Sequence, residues 1–198
     1  MEGVSSIVAA PRKASEARER LLRIASELFY REGIHGVGMD RVLAEAHVTR
    51  ATMYRHFPGK EALVVAYLER EDADIRRRFT DAEQQVPDDA TGAERVDALI
   101  ALIADDIERH HTRGCPFINA AAEYPDASSD VRRVVRRHRE WFRDSLRSML
   151  EGAGVAEPDE VAGSLVMLRD AALVGGYLDG VEVARPTFVA TARLVAHR

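Results

Sequence analysis

A single cysteine among 198 residues, Cys115, excludes an intramolecular disulfide framework and a cysteine-based zinc cluster, and it fits a reducing compartment. Long apolar runs are scarce too. No stretch approaches the roughly 18 residues that a bilayer span needs, and Met1 to Pro11 has neither the charged start nor the apolar stretch of a signal peptide. The expectation is a soluble, cytoplasmic chain with no membrane partner. Runs alternating with period two are hard to find, which argues against strands, and neither a repeat nor a low-complexity linker is present. Positive charge is in deficit as well: the net charge of −5 weighs against nucleic acid, whose phosphates demand cationic surface.

That total hides an asymmetry. Residues 1–60 carry 10 Lys+Arg against 7 Asp+Glu, whereas residues 61–198 carry 18 against 26. The basic end is therefore the candidate for DNA, and the acidic remainder must serve another purpose.

Apolar residues recur at three- and four-residue spacing almost throughout, so the expected fold class is all-α. Ser15 can cap a first helix through about Glu32 with the stripe Leu21, Leu22, Ile24, Ala25, Leu28 and Phe29, stopping at Gly33. Two short helices follow, near Met39–Ala46 and Arg50–His56, and then Pro58-Gly59 precedes a long helix from about Lys60 to Gln85 that bridges two parts of the chain. Thr91 caps the next helix, Phe117 to Glu123 forms a short one, and a long helix to Leu150 carries Val131, Val134, Val135, His138, Trp141, Phe142, Leu146 and Met149 as its stripe. Pro158 and Pro186 suit the first positions of the last two helices.

The run Met39 to His56 carries the functional signal. Two short helices joined by a tight turn, the second opened by the capping residue Thr49, have the geometry that sets a helix N-terminus in a major groove. Val42, Leu43, Ala46, Val48 and Met53 can face inward, which leaves Arg50, Ala51, Thr52, Tyr54, Arg55 and His56 for the outer faces. These are groups able to bond phosphates and base edges, with Ala51 small enough for close approach.

Over Arg20 to Leu68 the sequence resembles the N-terminal domain of TetR-family regulators. The residues that carry the resemblance are Ala25-x-x-Leu28-Phe29, Gly33-Ile34 and Val48-Thr49-Arg50-Ala51-Thr52-Met53-Tyr54-x-His56-Phe57-Pro58-x-Lys60-Glu61-Ala62-Leu63. The resemblance implies a helix-turn-helix DNA-binding domain over residues 1–60, with an arm at 1–14 holding Arg12 and Lys13, and a helical effector-binding and dimerisation domain over 61–198. It assigns Thr49, Arg50, Ala51, Thr52, Tyr54 and His56 to the recognition helix, with Tyr54, His56 and Lys60 on phosphate; the outward face adds Arg55 to the DNA-binding set, and the capped helix start points Arg50 and Thr52 toward the bases. Two positions depart from the family pattern: Gly38, where Thr or Ser is common, and His47, where Gly is usual in a turn that favours positive φ.

The expected activity is that of a regulator, in the first instance a repressor, that binds a palindromic operator as a homodimer and is released by a small, mainly apolar effector. No catalytic residue, metal or cofactor is expected. The effector site is placed among Ile103, Ile107, Phe117, Ile118, Asn119, Trp141 and Phe142, an apolar lining with a few polar groups. The dimer interface is placed at Ala171, Ala172, Gly175, Gly176, Phe188 and Val195 on the last two helices. Control by a partner protein in place of a small molecule is one alternative. Another is a helical enzyme or metal protein using Asp106 and His110, which are spaced to share one helical turn. Cys115 reads either as a buried structural thiol or as a sensor near a helix start.

Overall fold

The computed structural model describes residues 9–197, with side chains from residue 16 onward apart from that of His110. Among the described residues there are nine α-helices and no strand, in agreement with the all-α expectation. They are α1 (Ala9–Glu32), α2 (Met39–Ala46), α3 (Arg50–His56), α4 (Lys60–Gln84), α5 (Gly92–His110), α6 (Pro116–Glu123), α7 (Asp130–Gly152), α8 (Pro158–Leu178) and α9 (Val181–Ala196).

The first three helices form a head. Leu21, Leu22, Ala25, Leu28 and Phe29 of α1 enclose Val42, Leu43 and Ala46 of α2 and Met53 of α3, with Ile34, Val37, Val48 and Phe57 closing the gaps from the connecting turns. Removing these side chains from water supplies roughly 1.5–3 kcal/mol for each large one. The bridging helix α4 begins inside this packing, where Tyr67 meets Phe29 edge-on with 6.2 Å between ring centroids, and continues into the body to place Ile75 and Phe79. In the body, α5 and α7 to α9 pack around Ile100, Ile103, Ile107, Val135, Leu146 and Leu165. The ends of α5 and α7 approach closely: a Cβ on Gly92 would overlap the Ala153 carbonyl oxygen.

Two boundaries and the reading of apolar length differ from the sequence expectation. The helix expected to start at Ser15 already runs from Ala9, so residues 9–14 of the expected arm are helical, while residues 1–8 and the side chains of Arg12 and Lys13 lie outside the described residues. Pro186 lies inside α9 and not at its first position. Gly180, at φ 99°, makes the break after α8, and its carbonyl accepts from both Val183 and Ala184 to launch the helix ahead of the proline. The third concerns apolar length: α8 is long and apolar enough, by composition alone, to pass for a membrane span. Its Val161, Ala162, Leu165, Arg169, Ala172 and Leu173 are nevertheless buried in the protein.

Candidate functional site

Local chemistry builds the outward helix. The carboxy end of α2 is closed by His47 in the left-handed region, φ 52°, with backbone bonds from His47 to Ala44 (3.2 Å) and from Val48 to Leu43 (3.1 Å). Thr49 then caps α3, its hydroxyl accepting from the Thr52 amide at 3.2 Å, a contact worth about 1 kcal/mol. Only Met53 of α3 is buried. Arg50, Ala51, Tyr54 and Arg55 are exposed, with Thr52 and His56 half-buried.

Several of these groups already have partners. Arg50 pairs with Asp40 of α2, and the Thr52 hydroxyl joins those of Thr49, at 3.0 Å, and the Arg55 guanidinium, at 2.9 Å. Exposed pairs of this kind contribute little and exchange readily. Lys60 differs from the rest of the set, because its ammonium donates to the Val37 carbonyl at 2.6 Å and burial holds its pKa below the ordinary lysine value. The charge expected to face phosphate is thus turned onto the head's own backbone. His56 is similar, with Nε2 buried and without a hydrogen-bond partner among the described residues. At Gly38 no side chain caps α2, and a Cβ there would meet nothing within 4 Å.

A second arrangement ties head to body through residues that the sequence reading did not single out. The Glu123 carboxylate, at the end of α6, accepts from the amides of Ile34 (2.8 Å) and His35 in the turn after α1, and lies 3.2 Å from His35 Nδ1. Tyr124 stacks on the His35 ring. At the other end of α6 the Tyr30 hydroxyl accepts from the Arg113 amide at 2.8 Å and donates to the Gly114 carbonyl at 3.1 Å. No periodicity announces Glu123, because the amides it satisfies are distant in sequence.

Of the residues placed around an effector, Ile103, Ile107, Phe117 and Phe142 are buried, and Ile118, Asn119 and Trp141 are half-buried. Asn119 donates to the Arg113 carbonyl at 3.2 Å, so its amide serves the loop before α6. The rings do converge: Phe117 lies flat on His138, Phe79 meets Trp141 and Phe142 edge-on, and the Arg76 guanidinium covers Trp141 at 4.2 Å.

The lining is far more polar than expected. His138 Nδ1 lies 2.7 Å from Asp72 Oδ1, and Asp72 also holds Arg76 at 2.7 Å. Burial lowers the His138 pKa despite the carboxylate, while for Asp72 burial opposes but the bonds from His138 and Arg76 prevail and lower it. Asp106 holds Arg78 at 2.9 Å and His111 Nδ1 at 3.0 Å. Burial pushes that carboxyl up, yet His111, Arg169 and Arg78 together hold it far below the usual range. Asp106 was paired with His110 in the metal or catalytic alternative. Its imidazole partner is instead His111, the His110 side chain lies outside the described residues, and no metal-binding group of three or more His, Cys, Asp or Glu occurs among the described residues. Cys115 is buried, with Sγ 3.8 Å from Arg169 Nη1.

On the last two helices, Phe188 and Ala172 pack within the protomer, and Val195, Gly175 and Gly176 are half-buried, the two glycines lying against Ala184. Ala171, Ala172, Gly175 and Phe188 line an open groove of about 250 Å³ between α8 and α9. Ala171 is exposed, and the large apolar side chains exposed on these helices are Met167, Val174, Tyr177 and Leu178 of α8 and Val183 and Leu194 of α9, with Met167 and Leu194 about three-quarters exposed (74% and 75%).

Comparison with known proteins agrees with this layout. Residues 21–67 match the model of bacterial regulatory proteins of the tetR family, and residues 92–174 match that of the tetracyclin repressor-like C-terminal domain. The crystal structure of SCO4454, a TetR-family transcriptional regulator from Streptomyces coelicolor, is 45% identical, with 91% of this chain and 94% of that one covered and a TM-score of 0.84. Among curated relatives, the Escherichia coli repressor NemR is 31% identical over 118 residues, 59% of this chain and 58% of NemR, so the match spans less than two thirds of that relative. The Bacillus subtilis regulator LmrA is 27% identical over 143 residues, 67% of this chain and 72% of LmrA.

Proposed function

The chain belongs to the TetR family of bacterial regulatory proteins, and from that premise we propose that it is a sequence-specific DNA-binding regulator, a homodimeric repressor released from a palindromic operator by a small molecule bound in its body. Its relatives are transcriptional regulators, a non-enzymatic class. The observation that carries the reading is α3: capped by Thr49, anchored by Met53 alone, and presenting Arg50, Ala51, Tyr54 and Arg55 to solvent from a head with a net positive sequence.

One seven-residue helix contacts too few bases for useful specificity, whereas two related by a two-fold axis read half-sites about 34–36 Å apart. The apolar side chains exposed on α8 and α9 support that pairing, since burying them against a second copy would remove them from water. In this reading Met167, Ala171, Val174, Leu178 and Leu194 supply the contact, and Phe188 and Ala172 support it from beneath. The effector occupies the region of Phe117, Trp141 and Phe142. Its arrival is felt at the head through α4 and through α6, whose Glu123 grips the turn after α1. Coupling of this kind typically changes operator affinity about 5- to 150-fold, and operator changes effector affinity by the same factor.

Fluorescence anisotropy with an inverted-repeat duplex from the chain's own promoter region tests the proposal. The wild-type chain binds it more tightly than a scrambled duplex, and Arg50→Ala loses about 1–3 kcal/mol of that preference at one half-site position. Equal affinity for both duplexes would remove the sequence-specific reading.

A further inference from the structure

Arg169 lies in the middle of α8, 2% exposed, and its Nη2 is buried with no hydrogen-bond partner among the described residues. The carboxylate oxygens recorded beside it are Asp170 Oδ1 at 3.7 Å and Asp106 Oδ2 at 3.8 Å. Both acids have a closer arginine, Arg139 at 2.8 Å on Asp170 Oδ2 and Arg78 at 2.9 Å on Asp106 Oδ1, with the His111 ring 3.0 Å from Asp106 Oδ2, while Asp170 Oδ1 is itself buried without a hydrogen-bond partner among the described residues. Asp72 is occupied by His138 and Arg76, and Glu71, raised in pKa by burial, has His111, Asp74, Arg78 and Arg70 around it. Beyond these two long ion pairs its contacts are soft: the face of Phe142 at 4.7 Å and the Cys115 sulfur at 3.8 Å. A guanidinium presents a planar fork of donors that matches a carboxylate, and burying it with the fork unfilled is costly.

A second unmet group lies in the same cluster. His138 donates from Nδ1 to Asp72, so its Nε2, buried and without a partner among the described residues, is left as an acceptor. The Phe117 ring rests on the same imidazole, 3.7 Å between centroids and 3° from parallel, while Phe142 lies 6.3 Å from His138. An aromatic slot against His138 is therefore already built and is filled by the protein's own side chain.

We propose that Arg169 is the seat of a carboxylate, and that the effector is a small aromatic carboxylate whose ring replaces Phe117 against His138. This rests on the reading of the body as an effector domain. It also gives ligand entry a mechanical consequence: Phe117 is the second residue of α6 and Glu123 the last, so displacing the ring pushes on the eight-residue helix that holds the Ile34 and His35 amides.

The test is calorimetric titration of the full-length chain, without DNA, with 4-hydroxybenzoate and with its neutral analogue 4-hydroxybenzamide. The acid should bind saturably and at least about tenfold more tightly than the amide, and the emission of Trp141, the chain's one tryptophan, should change with the same midpoint. Arg169→Gln should abolish the preference for the acid while leaving amide binding unchanged. The wild-type comparison stands even if that variant does not fold. Equal binding of acid and amide, no binding of either, or a folded Arg169→Gln chain that still prefers the acid would each overturn the proposal. A chain that discriminates the two probes but binds no duplex selectively would leave this site standing and remove the regulator reading instead.

Discussion

The head and the body of this protein are built on opposite terms. Within the head the buried side chains are hydrophobic, from Leu21 through Phe57, whereas the buried polar and charged side chains among the described residues, Asp72, Asp106, His111, His138 and Arg169, all belong to the body. Apolar packing of short helices specifies one arrangement and holds it, which suits a surface that must present α3 at a fixed angle. A polar interior is expensive, and partly satisfied it leaves atoms such as Arg169 Nη2 and His138 Nε2 that a bound molecule can complete.

The contrast is most directly tested at Asp106. Replacing it with Ala strands Arg78, His111 and Arg169 together, and urea denaturation of Asp106→Ala should show a loss of about 3–5 kcal/mol. A cost below 1 kcal/mol would mean that the buried charges are more hydrated than their burial indicates.

Glu123 is where the two regions meet. Glu123→Ala leaves two turn amides without an acceptor, at about 1–3 kcal/mol. Hydrogen exchange should quicken at Ile34 and His35 while Val42 and Met53 keep their protection; uniform quickening through the head would show that Glu123 supports the whole head and not the joint alone.

Acid should separate the regions next. The folded-state pKa of His138 is depressed below the ordinary value of 6.5, so its contribution is complete above that pH and is lost as pH falls. Asp106, depressed as well, adds a second loss below about pH 4. His138→Gln should flatten the stability profile between pH 7 and 5.5. An unchanged slope would assign the titration elsewhere.

The smallest effect belongs to the head. Gly38→Ser has room for its side chain and supplies the cap that α2 lacks, so a gain of a few tenths of a kcal/mol is expected in thermal unfolding. Destabilisation would mean that the Gly38 backbone is needed as it stands.

The head was legible because its cues are local. Thr49 before α3, His47 in the turn, the spacing of Val42, Leu43 and Ala46 and the break at Pro58-Gly59 all act within a few residues of themselves. The body was legible in its helices but not in its chemistry. His138 reads as one more member of the α7 stripe, and only the fold shows that Asp72, from α4, waits beside it. Asp106 is spaced to share a turn with His110, yet its partners Arg78 and Arg169 come from other helices. Lys60 has a partner that no local pattern announces, since a carbonyl 23 positions earlier accepts from its ammonium. The proline in α9 misled for a related reason: proline favours a helix start without requiring it, and Gly180 had already made the break.

Gly92 carries a different kind of information. In the sequence it is one more glycine after a loop, where replacement by alanine or serine would ordinarily pass unnoticed. With a carbonyl oxygen of Ala153 standing where its Cβ would be, no codon for another amino acid fits unless the ends of α5 and α7 part. Variation at this position therefore reports on a contact between two helices and not on the turn that precedes it. In a population of diverging sequences, Gly92 and the backbone around Ala153 would have to change together.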